Sequence, residues 1–385
     1  MRTINFVIFF LIVLTIYGAV NYYIFIRGWQ SIPPGSSIRT FYLIIFLLLS
    51  LAFIMGRLLE KITISLVSDV FIWIGSFWLA MMLYLFLAVV ILDFLRMINL
   101  FFPFFPQFIT NNYEKAKQIA GIVVVGSVFI TTAIGHLNAL NFHIVKLNLS
   151  IHKKVGSLKI LNVVVTSDIH LGAIIGNSHL EKIVEVINGL NPDIVLLPGD
   201  IMDEDLAPVI KQNLGEKLKN IKSKYGVYAI TGNHEYIGGV EKACKYLIEH
   251  NINLLRDNAV KIGNSFCIIG REDRSMGTFT GKKRKSLEEL MSDVDKELPI
   301  FLMDHQPFEL YEAENNGVDL QLSGHTHHGQ LWPLNFITNM VYEISWGYKQ
   351  EGGTHFYVSC GVGTWGPPVR LGNRPEIVNI RINFD

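Results

Sequence analysis

Lys159-Ile160-Leu161-Asn162-Val163-Val164-Val165-Thr166-Ser167 runs straight into Asp168-Ile169-His170, and this junction decides how the chain is to be read. The run is short, rich in β-branched residues and bounded by turn formers, which marks a buried strand. The same arrangement recurs four more times. Asp193–Leu197 leads to Gly199-Asp200, with Asp203 three residues on, and Gly226–Thr231 leads to Gly232-Asn233-His234-Glu235. Pro299–Met303 leads to Asp304-His305, and Val318–Ser323 leads to Gly324-His325-Thr326-His327. In an open α/β sheet the loops at the carboxyl ends of the strands build the site. Five strands therefore carry Asp, Asn and His to one rim, which predicts a metal centre.

The donors define its kind. Asp168, His170, Asp200, Asn233, His305, His325 and His327 offer carboxylate, carboxamide and imidazole groups and no thiolate. Such a set suits Mn, Fe, Zn or Ni rather than an iron–sulfur cluster or a structural zinc. Seven ligands are too many for one catalytic ion that must keep an open position. They suit two ions sharing Asp200, with a hydroxide between them as the nucleophile of a phosphoryl displacement. Taken singly, each block has a plainer reading: Asp168 as an Asx turn, Asn233 as a left-handed turn residue, Gly199-Asp200 as a cap. Those readings would require five coincidences in one order.

The blocks Asp-x-His, Gly-Asp-x-x-Asp, Gly-Asn-His-Glu, a lone His and Gly-His-x-His, in this sequence, resemble the calcineurin-like metallophosphoesterase family, over about Val145 to Asp385. The resemblance implies a first metal on Asp168, His170, Asp200 and His327, and a second on Asp200, Asn233, His305 and His325. It implies that His234 stands beside the phosphate, to protonate the leaving oxygen or stabilise its charge, and that the Asn233 amide also faces a phosphate oxygen. Asp203 is expected to support the metal shell. His328, where the related subgroup usually carries a second Gly, is expected to lie at the surface or behind the ligands.

Residues 1–140 are a different object. Apolar stretches at Ile4–Ile26, Phe41–Gly56, Val70–Leu92 and Ile119–Gly135, extended by their flanks to about 4–26, 40–57, 70–92 and 118–136, have the composition of spans, given that a helix needs about 20 residues to cross the hydrocarbon. No Asp, Glu, Lys, Arg or His falls inside the four apolar runs themselves; Asp93, Arg96 and His136 lie at their edges. Nothing suggests a proton or ion route, so the expectation is an anchor on a lipid bilayer. Leu100–Phe108, with two prolines, reads as an interfacial or re-entrant piece. A cleaved signal peptide does not account for the first stretch, which is too long and lacks a small-residue cleavage site.

Charge supports the division. Residues 1–143 carry eight Lys/Arg and four Asp/Glu, leaving 25 basic and 29 acidic groups in the rest. A catalytic part at about −4 is no nucleic-acid binder by bulk charge. With four spans, the side of the chain ends has Arg2, Arg57, Lys61, Lys146, Lys153, Lys154 and Lys159, against Arg27, Arg39, Arg96, Lys115 and Lys117 on the other. Seven against five favours a cytoplasmic catalytic part. Cys244, Cys267 and Cys360 show no pairing pattern and read as buried small hydrophobes.

Helical spacing appears at Asn177–Ile187, Val209–Ile221, Gly239–His250 and Ser286–Lys296, between the strands. Asn264–Gly270, Thr354–Val362 and Glu376–Asn383 read as further strands. The expected fold class is α/β: a four-helix transmembrane region (1–140), then a two-sheet metallophosphoesterase sandwich flanked by helices (145–385).

Two features speak to the substrate. Leu331-Trp332-Pro333-Leu334-Asn335-Phe336-Ile337, followed by Met340, Val341, Trp346 and Tyr348, is unusually apolar beside a hydrolytic site. It reads either as packing onto the sheet or as a flap, with Trp332 and Phe336, that meets lipid. Arg370 is a candidate for a phosphate, or for an ion pair with Glu376. The Gly324–Gln330 run with Arg370 and Arg374-Pro375-Glu376 resembles the membrane-associated phosphodiesterase subgroup, which includes enzymes similar to UDP-diacylglucosamine pyrophosphatases. That implies a lipid-linked phosphodiester or phosphoanhydride substrate. The rival reading is a membrane sensor or scaffold that keeps the metal-binding fold.

Overall fold

The computed structural model describes residues 2–153 and 155–384, and of residues 2–6 and 9 the backbone alone. Lys154 and the Arg2 side chain, both counted in the charge balance above, lie outside the described residues. The chain folds as two compact units, Met1–Gly135 and His136–Asp385.

The first unit is built of long helices. They cover Arg2–Ser31, Ile38–Ile62, Leu66–Phe101 and Tyr113–Ala139, the last four residues of which belong to the second unit. Each contains a stretch long and apolar enough to cross a membrane. All four outrun the apolar stretches read from the sequence, because helix continues through the polar flanks. Ser65 caps the third helix, its Oγ accepting from the Ser68 amide. Asp93 and Arg96 consequently lie inside that helix rather than beyond it, and Asp93 is 2.7 Å from Arg27. Gly75 lets two helices approach closely, since a Cβ there would overlap the Phe53 backbone. Leu100–Phe108 divides: its first residues finish the third helix, and Gln107–Thr110 forms a single separate turn.

The second unit is a sandwich of two six-stranded sheets. Its strands are β1 (His143–Ile151), β2 (Ile160–Val165), β3 (Ile194–Leu197), β4 (Val227–Ala229), β5 (Asn253–Leu254), β6 (Asn258–Ile262), β7 (Phe266–Gly270), β8 (Ile300–Met303), β9 (Leu320–Ser323), β10 (Gly347–Glu351), β11 (Thr354–Val358) and β12 (Glu376–Phe384). One sheet runs β1-β12-β2-β3-β4-β5, the other β10-β11-β9-β8-β7-β6. β2 to β5 are mutually parallel, as are β7, β8, β9 and β11.

The period of two along a strand sorts side chains between layers. Val163, Val165, Leu196, Phe301, Met303 and Leu322 meet between the sheets. Val164, Val195 and Leu197 face outward beneath the helices Asn177–Gly189 and Val240–Glu249. Ile300 and Leu302 do the same beneath Leu287–Met291. Both faces of these strands are thus covered, which is why they read as unbroken apolar runs. Two helices are shorter than their periodicity predicts. Val209–Ile221 becomes Ala207–Lys211 and Leu214–Leu218, parted by Asn213 in the left-handed region (φ 53°), and Ser286–Lys296 holds helix only over Leu287–Met291.

Candidate metal centre

The carboxyl ends of five parallel strands, three in one sheet and two in the other, open on the same rim. Asp168 and His170 follow β2, Asp200 follows β3, Asn233 and His234 follow β4, His305 follows β8, and His325 and His327 follow β9. Five of these side chains sit on left-handed backbone: Asp168 (φ 54°), His170 (54°), Asp200 (51°), His325 (71°) and His327 (45°). Such conformations cost roughly 1–3 kcal/mol each outside glycine and persist where the surroundings over-determine them. Here the Asp168 amide donates to Gly199 O and the His170 amide to Asp200 O. The glycines of the motifs serve close approach. A Cβ at Gly232 would run into the Asp200 carboxylate, and one at Gly324 into Asp168 and Ser167.

The donors gather in two nests. In one, His170 Nε2 is 3.0 Å from His327 Nε2, while Asp168 Oδ1 lies 3.4 Å from His327 Nε2 and 4.0 Å from His170 Nε2. In the other, Asn233 Oδ1 is 2.8 Å from His325 Nδ1 and 3.3 Å from His305 Nε2, which is 3.1 Å from Asp200 Oδ2. Asp200 Oδ2 also lies 4.0 Å from His170 Nε2, so one oxygen borders both nests. His305 is oriented by Pro198 O, 2.8 Å from its Nδ1, which leaves Nε2 facing inward.

The electrostatics fit a cation. Burial drives His170 and His325 down to about 3 and His327 well below its ordinary range, so these imidazoles are neutral, the form that ligates. Burial opposes ionisation of Asp200, but His305 and His234 hold its carboxyl well below the usual range. Burial lifts Asp168 to about 6. Burial would depress His305, but Asp200 and then Asp168 outweigh it and raise it well above its ordinary range, so this ring carries a proton among the carboxylates while the other three ligand imidazoles are neutral. A divalent ion of the O/N-preferring class resolves that arrangement, and Asp168, His170 and His327, or Asp200, His305 and His325, are each close enough to hold one.

Beside the nests, His234 Nδ1 is 3.2 Å from Asp203 Oδ1, and the same oxygen lies 3.9 Å from His170 Nδ1. Burial alone would depress His234; Asp200, Asp203 and Glu204 outweigh it and raise its pKa to about 9. Glu235 has a function that the motif did not disclose. Its buried carboxylate accepts the amides of Gly232 (2.7 Å), Met202 (2.9 Å) and Asp200 (3.2 Å), tying the β3 and β4 loops together. The signal for it was an acid three residues past Gly232, at the start of the Asn233–Gly238 helix. Trp365, also missed, stands half-exposed with its ring 6.2 Å from that of His234.

The three proposed substrate contacts separate. Arg370 is fully buried and donates to Cys360 O (2.7 Å), Gly363 O (2.7 Å) and Asn373 Oδ1 (3.0 Å), with Nη2 3.1 Å from His327 Nδ1. It lies behind a ligand candidate instead of facing the pocket. Glu376 bonds Trp346 Nε1, Tyr357 OH and the Cys360 amide. Trp332 and Phe336 are exposed. Phe336, Ile337, Met340 and Val341 share one side of the Asn335–Val341 helix, none of whose residues is buried. His328 is half-buried, on Ser345 Oγ at 2.8 Å and against the Trp346 ring.

The profile of the calcineurin-like phosphoesterases matches residues 161–329. An uncharacterised metallophosphoesterase of Campylobacter jejuni is 30% identical over 383 residues, 98% of this chain and 98% of its own length. A transmembrane protein with metallophosphoesterase domain from Danio rerio is 33% identical over 62% of this chain and 56% of its own length. An uncharacterised metallophosphoesterase of Helicobacter pylori strain J99 is 33% identical over 58% of this chain, and the match spans 60% of that relative's length. With the motif order carried on sandwich strands and a full-length relative at this identity, the chain belongs to the calcineurin-like metallophosphoesterase family, metal-dependent hydrolases of phosphoesters.

Proposed function

We propose that the chain is a multi-pass membrane phosphohydrolase that uses two divalent ions, manganese, iron or zinc, to cleave a phosphodiester or phosphoanhydride of a lipid-linked substrate. The observation that carries this reading is the pair of buried nests of carboxylate, carboxamide and imidazole donors, with Asp200 Oδ2 bordering both. One ion would be held by Asp168, His170, Asp200 and His327, the other by Asp200, Asn233, His305 and His325. Bound there, the ions activate water and neutralise the charge of the phosphoryl group.

The chain's own residues do the rest. Asp203 holds the Nδ1 side of His234, and the surrounding carboxylates keep the imidazole protonated, so that Nε2 can pass a proton to the leaving oxygen. The Asn233 amide would donate to a phosphate oxygen. Glu235 locks the loop that carries both.

The lipid part of the reading rests on Trp332, Phe336, Ile337, Met340 and Val341, whose apolar surface faces solvent in a chain with four helices apolar enough to span. A helix face of that kind seats in the interface of a bilayer. The loop charges favour a cytoplasmic location for the catalytic unit, and its acidic balance argues against nucleic acid.

The test is Mn²⁺-dependent hydrolysis of bis-p-nitrophenyl phosphate and of a nucleotide-linked diacyl glucosamine by the detergent-solubilised full chain, with Asp200→Asn and His234→Ala alongside. Turnover that falls by more than about a hundredfold in both variants, past what outer-shell changes produce, supports the hydrolase. No turnover with any divalent ion, in protein that binds two, returns the reading to a sensor or scaffold.

A further inference from the structure

The Tyr113–Ala139 helix closes in a turn, His136–Ala139, that belongs to the second unit and is bonded to the loop between β11 and β12. Asn138 spends both carboxamide protons on that loop, Nδ2 donating to Arg370 O at 3.0 Å and to Asn373 O at 2.7 Å. His136 Nδ1 meets Pro368 O at 2.7 Å. A single –NH₂ forked between two carbonyls fixes the spacing of the residues that own them.

The side chains of those same two residues point the other way, onto His327. Asn373 Nδ2 donates to His327 O at 2.8 Å and to His328 O at 3.2 Å. Arg370 Nη2 lies 3.1 Å from His327 Nδ1, and the guanidinium is pinned by Cys360 O and Gly363 O. Arg370, Asn373 and His327 are 0, 6 and 6% exposed, so no water stands in for a lost partner. His327 and His328 both have left-handed backbone (φ 45° and 46°), a conformation that needs outside support. Asn373 bonds the carbonyls of both residues and thereby supplies it.

We propose that Asn138 is a positioning residue for His327. Through the 370–373 backbone it sets where that imidazole stands, and so how tightly the nest of Asp168, His170 and His327 holds its ion. The inference rests on the two-ion reading. It also means that the residues just past the last apolar stretch are part of the metal centre's support rather than a passive connection.

The experiment is two-site calorimetric titration of full-length, metal-stripped protein with Mn²⁺, comparing wild type, Asn138→Ala, Asn138→Asp and a control, Asn141→Ala, which lies just past the helix and whose Nδ2 bonds back to Leu137 O in its last turn. Asn138→Asp keeps the shape but presents acceptors to two carbonyls. Both Asn138 variants should bind one of the two ions about tenfold more weakly, the low end of outer-shell effects. The other ion should be unchanged, as should the control, and excess Mn²⁺ should restore kcat. Wild type that takes up fewer than two ions sinks the two-ion reading itself. Two ions in wild type with unaltered affinities in both variants sinks this assignment alone. Joint weakening of both ions, or loss of the folded state in both variants, marks a general stability residue and also overturns it.

Discussion

In the helical unit the exposed side chains are large and apolar, and several of the buried ones are polar: Asn21, Ser50, Ser68, Ser76 and Thr132. In the catalytic unit the strands bury valine and isoleucine, and the buried polar groups gather at one rim: Asp168, His170, Asp200, His305 and His327. The difference lies in what satisfies them. Trp78 Nε1 donates to Asn21 Oδ1 at 3.0 Å, a donor meeting an acceptor. At the rim, His170 Nε2 faces His327 Nε2, and Asp200 Oδ2 borders both nests. The Asn21–Trp78 pair is complete within the protein, although the Ser76 and Thr132 hydroxyls are buried without a hydrogen-bond partner; the carboxylates and ring nitrogens crowded at the rim suit a cation from outside.

Removing the ions should therefore expose the contrast most strongly. Each ion at a hundredfold excess over its Kd contributes about 2.7 kcal/mol. Stripping both should lower the melting temperature of the catalytic unit by roughly 10–20 °C. Calorimetry of the full chain in detergent, with and without chelator, reads this directly. A catalytic transition indifferent to chelator would mean that the rim is satisfied by its own protons, and the comparison fails.

Asp203→Asn comes next. The carboxylate touches no proposed metal ligand atom closer than 3.9 Å, but stands 3.2 Å from His234. The amide should cut kcat about 10–100-fold while the protein still binds its full complement of Mn²⁺. Loss of an ion together with activity would make Asp203 part of the cage instead.

The rim was legible because each functional residue abuts its own strand, so that β2, β3, β4, β8 and β9 could be read with their cargo. β1, β5, β6 and β10 were not seen. β5 has two residues, and β6 and β10 are edge-side strands with exposed, partly charged sequences. β1 alternates clearly, but its pairing with β12 joins His143 to Glu376, and no local pattern announces a partner so distant. Arg370 shows the same limit at the level of a side chain. Its sequence neighbours left it between a phosphate and an ion pair with Glu376, whereas its burial is decided by the Cys360 and Gly363 carbonyls that fold around it. The helix extents were short-read because the third helix runs on through Asp93 and Arg96, charged residues made tolerable by the ion pair with Arg27.

The apolar helix face offers a subtler test, since it places first-unit chemistry on the second unit. Phe336, Ile337 and Met340, changed together to Ser, should lower kcat/KM for a lipid-linked ester about tenfold, the loss of roughly 1.4 kcal/mol from partial burial of three side chains. A soluble diester should be cleaved within about twofold of wild type. Equal loss on both substrates would show that the segment supports the site's structure and does not meet lipid.

The smallest effect is expected from Asn21→Leu, and it probes the other half of the comparison. Asn21 is buried, donates to Tyr17 O at 2.9 Å and accepts from Trp78. The substitution removes an interhelical bond and leaves the indole N–H without that acceptor. In the membrane such bonds average about 0.6 kcal/mol, because the unfolded reference also finds partners. The loss should stay near 1 kcal/mol, visible as a modest shift in detergent-induced unfolding of the helical unit. Turnover measured on the same sample should not move, because no ionisable or metal-ligating group in that unit takes part in the proposed chemistry. A change in kcat would mean that packing among the helices governs the catalytic unit, and the first unit would then be a regulator rather than an anchor.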